Sequence, residues 1–370
     1  MGNILSSWQL LSARQRIWLA GWTLAILALG AVAAYKLGNH QREEAARSIR
    51  RHQERLGGAA SKTEPARTPP AGHENDEPLT VQAGIYVDRI WGLNLAESTW
   101  SVDFFVWFSW RGDIDPGESF AVVDGEITTK NLVHKTDKDG LHYARYRVIA
   151  TITKHFNASR FPLDDHMLAI ALEDTKLQSY QLHFLPDTAN SKISSRVEVT
   201  GYRVAGSRMA VRPHGYQSAM GDPTLPTDHR ATYSQLVFAI DIVRPSAEIF
   251  TKLFLALYIA VGCSLLGLLL RSASEGLAIS GTALFIEIVN AEVVAPLIPE
   301  TGHPTLADMI GNVGYVTTGL VFLQGVISRR YYSDQADDAT KRMSDWFDAL
   351  SFIAIAALFV AVNLAVFLAA

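Results

Sequence analysis

Tyr233-Ser-Gln-Leu-Val-Phe-Ala-Ile-Asp-Ile-Val-Arg244-Pro245 is rich in strand-forming side chains, and within a few residues it runs into the apolar stretch Phe250 to Leu270. Short runs of β-branched and aromatic residues bounded by turn formers read as strands. A helix that crosses a bilayer needs about 20 mostly apolar residues. The two patterns meet here without a linker, so a sheet domain is joined directly to a membrane segment. The expected fold class is an α+β membrane protein. It consists of an extracellular antiparallel β-sandwich, a four-helix transmembrane bundle and one further N-terminal transmembrane helix.

Downstream of the junction, apolar stretches recur at roughly Leu277 to Leu297, Met309 to Ile327 and Phe347 to Leu368, and one more lies upstream at Ile17 to Tyr35. The stretch from Leu277 carries Glu287, Asn290 and Glu292, which a lipid-facing helix would not tolerate. Lys and Arg concentrate on the cytoplasmic side of membrane proteins. Arg14 and Arg16 precede the first stretch, Arg271 follows the second, and Arg329, Arg330, Lys341 and Arg342 separate the last two. The rule places the N-terminus inside, and the sheet domain and C-terminus outside. Ala31-Val32-Ala33 offers a signal-peptidase site, but the long charged leader and long apolar run read as an uncleaved signal anchor. Met1-Gly2-Asn3-Ile4-Leu5-Ser6 fits a short myristoylation pattern with many chance matches.

Upstream of the junction, Gln41 to Leu56 is charged with helical pairing of Glu43 and Arg47, and reads as a solvated continuation of the first helix. Gly57 to Pro78 reads as a flexible linker. Strand patterns follow near Thr80 and at Thr99 to Trp110, Leu141 to Thr153, Met167 to Glu173, Ser179 to Phe184, Arg196 to Val204 and Ala231 to Val243. The turn-rich segment Pro213 to Asp228 precedes the last of these. The resulting division is residues 1–16 as a cytoplasmic N-terminus, 17–36 as the anchor helix, 37–79 as charged helix and linker, 80–246 as the sheet domain, and 247–370 as the helical domain.

Composition narrows the function. The 370 residues carry a net charge of −4 with no basic stripe, which argues against nucleic acid as a partner. Cys263 is the single cysteine and lies in an apolar run, where it reads as a small buried residue; no intrachain disulfide can form. The chain lacks His-Glu-x-x-His, Gly-x-Ser-x-Gly and a phosphate-binding glycine-rich loop, so neither an enzyme nor a cofactor is expected. Contiguous Asp164-Asp165-His166 is weak as a metal site without distant ligands.

Phe161-Pro162-Leu163-Asp164-Asp165-His166, the aromatic strand ending in Trp110, the Arg244-Pro245 entry to a membrane helix and the loop Leu297-Ile-Pro299-Glu-Thr-Gly-His-Pro304-Thr-Leu-Ala-Asp308 together resemble the pentameric ligand-gated ion channels. The resemblance runs from about Thr80 to Ala370. It departs from the family pattern at His166, where a Gln is usual, at Arg111-Gly112-Asp113 after Trp110, and in the added N-terminal span. The loop-closing cysteines are absent too, as in prokaryotic members.

The resemblance implies a homopentamer in a bacterial inner membrane, conducting cations and gated by a small-molecule ligand or by protons. It makes Phe161, Pro162, Asp164, Arg244 and Pro299 the coupling residues, with Arg244 close to Asp164. It also makes the segment Pro213 to Asp228 a ligand cap, where Tyr202, Tyr216 and Tyr233 could face a cation. Protons are the other stimulus, because His155, His166, His183, His214, His229 and His303 fall outside the membrane.

Helical spacing adds a pore reading. Glu275, Ala278, Thr282, Phe285, Val289 and Glu292 alternate by three and four and share one helix face. Lining a pore, they would give a carboxylate ring at each mouth and an apolar constriction at Phe285 and Val289. The alternatives are a packing seam between helices, a pore face built on Ser280, Glu287 and Asn290, or a Glu287 kept protonated between helices. The rival function is a non-conducting receptor of the same fold that signals to a partner protein.

Overall fold

The computed structural model describes residues 8, 10–56, 77–218, 221, 231–270, 273–298, 303–331 and 337–369. The Gly57 to Pro78 linker, apart from its last two residues, lies outside the described residues, as do the myristoylation pattern, Arg271, His229 and Pro299. Of the ligand-cap segment, the residues after Ser218 lie outside them as well, except Gly221.

The chain forms two compact units. One comprises Met1–Arg47, Ala158–Leu163 and Ser246–Ala370, and the other Ser48–Asn157 and Asp164–Pro245.

The second unit holds two sheets built from β1 (Leu79–Asn94), β2 (Thr99–Trp110), β3 (Phe120–Val122), β4 (Gly125–Lys138), β5 (Leu141–Thr153), β6 (Asp165–Asp174), β7 (Leu182–Pro186), β8 (Lys192–Ile193), β9 (Arg203–Gly215) and β10 (Thr232–Val243). One sheet has the order β4-β5-β2-β1-β7, with β8 also on β1, and the other β3-β6-β10-β9. Strand alternation builds the core they share. Trp100, Val102, Phe104, Val106, Phe108 and Trp110 of β2 are all buried, and they cluster with Ile170, Leu172, Phe238 and Ile240 of the other sheet.

Two expectations need correction, and one strand went unread. The larger sheet is not purely antiparallel, because β1 pairs in parallel with β7 and β8. Residues 196–202 do not run as a strand, because the Tyr202 N–H donates to the Val199 carbonyl (2.9 Å) and closes a tight turn; β9 starts at Arg203. The run Gly125–Lys138, not marked in the sequence, is a strand. It is held against β5 by a two-residue turn, Asp139-Gly140, in which both residues have positive φ (53° and 71°), the conformation hairpins favour.

Five helices among the described residues are long and apolar enough to cross a membrane. They are α1 (Ala13–Leu56), then, past the short α2 (Pro116–Ser119), α3 (Ser246–Gly267), α4 (Ala273–Val294), α5 (Leu306–Tyr331) and α6 (Asp338–Ala369). The charged continuation of the first helix is part of α1 without a break. Thr305 and Asp308 cap α5 reciprocally, the Asp308 carboxylate accepting from the Thr305 N–H (2.8 Å) and the Thr305 hydroxyl accepting from the Asp308 N–H (3.2 Å).

Small residues bring the helices of this unit together. A Cβ on Gly276 of α4 would lie 2.7 Å from the Gly267 carbonyl oxygen of α3, and one on Gly30 of α1 would lie 3.1 Å from Leu358 of α6. The Trp22 indole N–H of α1 donates to the Ser351 hydroxyl of α6 (3.0 Å), and Gln41 of α1 donates to the Met309 sulfur of α5 (3.3 Å). Cys263, read from the sequence as buried, is exposed on α3, because α4 and α5 pack against other faces of that helix.

Candidate functional site

Asp164, Arg244, Tyr202 and His166 form one buried cluster in the sheet unit. Asp164 immediately precedes β6 and Arg244 immediately follows β10, and the antiparallel pairing of those strands, ending at Val243 opposite Asp165, brings the two side by side. The Arg244 Nε donates to Asp164 Oδ1 (2.8 Å). Asp164 Oδ2 accepts from the Tyr202 hydroxyl (2.7 Å) and is hydrogen-bonded to His166 Nε2 (2.6 Å). Arg244 also donates to the Tyr202 oxygen and lies over the Tyr202 ring at 4.2 Å from its centroid. Burial would raise the Asp164 carboxyl, but the hydrogen bonds and charges of His166 and Arg244 outweigh it and hold the group well below the usual carboxylate range. Burial, and then the negative charge of Asp164, pushes the Tyr202 hydroxyl far up.

The sequence therefore placed Asp164 and Arg244 together, and the structure adds two partners. His166 could have been found from its position two residues after Asp164, since residues i and i+2 of a strand share a face. Tyr202 was expected with the other two tyrosines and must be corrected. It is buried in this cluster, its hydroxyl and its ring both engaged by Asp164 and Arg244.

Phe161 and Pro162 belong to the helical unit. Phe161 is buried beside Phe254, Leu306 and Ile310, and the Phe161 carbonyl accepts from the Ala307 N–H (3.1 Å) at the start of α5. The Ser159 carbonyl accepts from Leu306 (2.8 Å), while the Ser159 hydroxyl donates to Glu44 of α1 (3.1 Å). Segment 158–163 is thus held between α1 and the first turn of α5. Asp164, the next residue, starts the sheet unit again.

Along α4, Glu275, Ala278, Thr282, Phe285, Val289 and Glu292 are all exposed, Phe285 at 66%. The other face packs into its own bundle. Ser280 accepts from Ser264 of α3 (3.0 Å), Ala283 is buried, and Glu287 is 1% exposed with Oε1 accepting from the Thr318 hydroxyl of α5 (2.5 Å). The second oxygen of Glu287 has no partner among the described residues. The seam reading therefore falls to the Ser280–Glu287 face, and the stripe beginning at Glu275 is left uncovered within the chain.

Tyr216 and Tyr233 meet edge to face, ring centroids 5.6 Å apart, because β9 and β10 pair through Gly215 opposite Thr232. The Tyr216 hydroxyl donates to Glu173 Oε1 (2.5 Å), and His214 Nδ1 is hydrogen-bonded to Glu173 Oε2 (2.8 Å). Burial and the Glu173 hydrogen bond push the Tyr216 hydroxyl up. Of the other histidines, His155 and His303 are exposed and His183 lies 3.4 Å from the Ser234 hydroxyl.

One recess went unread in the sequence. On the outer face of the larger sheet, Tyr86, Phe105, Trp107 and Tyr143 line a cavity of about 750 Å³ with Asp187 and Asn190, and the Trp107 indole N–H donates to Asp187 Oδ2 (3.1 Å). Its aromatics occupy the outward positions of strands whose inward positions carry the core. Alternate large apolar side chains on the wrong face were the signal available. Arg145 lines it too, 5.9 Å from the Phe105 ring, so the recess offers aromatic faces with one carboxylate and one guanidinium.

Among the described residues, no group of three or more His, Cys, Asp or Glu side chains is placed to hold a metal ion. Comparison of the sequence with known protein families and with characterised proteins returns no match.

Proposed function

We propose that the chain is one subunit of a homopentameric, ligand-gated, cation-conducting channel of a bacterial inner membrane, with its N-terminus in the cytoplasm and its sheet unit outside. The uncovered stripe of α4 carries this reading. Six residues at pore-lining spacing are exposed, a carboxylate stands near each end, and Ser280 and Glu287 of the same helix are buried inside its own bundle. Five such stripes around an axis enclose water, the environment that Glu275, Thr282 and Glu292 need at membrane depth. Carboxylate rings favour cations, and an apolar ring of Phe285 and Val289 can close by dewetting.

Ligand enters the reading through the aromatic recess and through the Tyr216–Tyr233 pair, both of which offer aromatic faces. Coupling runs along the chain, which passes from the sheet unit into the segment 158–163, returns at Asp164 and leaves again after Pro245. The Asp164–Arg244 cluster ties β6 to β10 next to both of the latter crossings.

The test is the purified chain reconstituted in bilayers, with subunits counted by native mass spectrometry. Five copies, together with a current that turns anion-selective in Glu275→Lys and Glu292→Lys variants, support the reading. A monomer excludes it. Five copies without current under any ligand or pH leave a non-conducting receptor.

A further inference from the structure

At the end of the helical unit where α3 meets α4 and α5 meets α6, the helices leave a cavity of about 380 Å³ that nothing above uses. That volume is at the lower end of small-molecule sites, about 300–1,000 Å³. One wall is apolar, with Leu268, Leu277 and Val321, and the other carries Gln324, Ser344 and Asp348. Gln324 is fully buried and donates its amide N–H to Asp348 Oδ1, which leaves its carbonyl oxygen turned away from that bond and without a partner. Among the described residues, no cationic side chain pairs with Asp348. Lys341 and Asp345 also line the cavity, so among the described residues it holds two carboxylates against one ammonium.

Asp348 is half-buried and has no cation, and a buried amide oxygen without a donor is costly, so one cationic donor group would serve both. We infer that this cavity binds a small primary alkylammonium ion, its N–H groups donating to the Gln324 carbonyl and the Asp348 carboxylate and its alkyl chain lying on Leu268, Leu277 and Val321. A bare metal cation would meet one carboxylate, one amide oxygen and an apolar wall, which is a poor ligand set for a hard ion. The inference is independent of whether the protein conducts.

n-Butylammonium chloride is titrated against the full-length protein in nanodiscs, with n-butanol and potassium chloride as matched controls, and thermal stability and saturation-transfer NMR are read. Saturable stabilisation by butylammonium alone is expected, weakened about tenfold or more in Asp348→Asn and Gln324→Met, as suits loss of a charge-assisted hydrogen bond. Equal stabilisation by butanol, equal stabilisation by potassium, no stabilisation, or an effect unchanged in both variants overturns it. Trp107→Ala and Tyr216→Ala should leave the butylammonium effect unchanged; its loss in either places the binding elsewhere and overturns the inference.

Discussion

Asp164 in the sheet unit and Glu287 in the helical unit are both buried carboxylates, and they are treated in opposite ways. Asp164 is saturated: an arginine, a histidine and a tyrosine share its two oxygens. Glu287 receives one hydroxyl from Thr318 and leaves its second oxygen unpartnered among the described residues. A saturated buried charge fixes geometry, because every alternative arrangement strands a charge. An under-satisfied one leaves its helices free to choose among arrangements, and in the helical unit the fixing falls instead to close contacts between small residues such as Gly267 and Gly276.

The largest expected effect follows from breaking the saturated side. Asp164→Ala leaves the Arg244 guanidinium buried beside Tyr202, and removing one partner of such a pair costs about 3–5 kcal/mol. Denaturant unfolding of the full chain, followed by tryptophan fluorescence, measures it; a loss under 1 kcal/mol would show that the cluster is not structural. The pH dependence has a definite sign. A carboxyl held below its ordinary value of about 3.9 contributes its full stabilisation above that pH. The contribution is lost progressively as the pH falls from there through the depressed folded value. Asp164→Asn should therefore flatten the acid limb of the stability profile below about pH 4 and leave the profile above it parallel to that of the native chain.

Next in size is the small-residue contact. Gly276→Ala gains about 1 kcal/mol of helix propensity, but its Cβ would lie 2.7 Å from a backbone oxygen that no side-chain rotation can move. Overpacking of that kind costs about 1–3 kcal/mol, so a net loss of order 1 kcal/mol is expected, with α3 and α4 moved apart. Cysteine cross-linking between the two helices reads the separation; unchanged cross-linking would place the tolerance elsewhere.

Glu287→Gln should do least. The amide retains an oxygen for Thr318 and removes a buried charge of uncertain benefit, so the change should lie within about 1 kcal/mol of zero. If it instead destabilises as strongly as Asp164→Ala, the contrast between the two carboxylates fails and Glu287 is as tightly fixed as Asp164.

Much of this protein was legible in its residues. The junction at Arg244-Pro245, five apolar stretches and most strands follow from period and composition, which act locally. The pairing of Asp164 with Arg244 was readable because two charges flank adjacent strands at a boundary. Other elements were hidden for physical reasons. β4 is exposed on both faces along its outer half, so no alternation marks it, and only its turn and its ladder with β5 make it a strand. Tyr202 looks like any sandwich aromatic until its turn folds it onto Asp164. The recess around Trp107 gathers residues from five separate segments, and no spacing within one of them announces it.

By itself, then, the sequence determined the long helices and most of the strands, and that one apolar helix carries polar side chains, since both depend on side chains within a few residues of each other. Which face of that helix is spent inside its own bundle, which carboxylate is saturated and which is left short, and which sheet pairing runs parallel were decided only in tertiary structure. Those outcomes depend on groups far apart in the chain, and the partner a buried polar atom finds is set by packing.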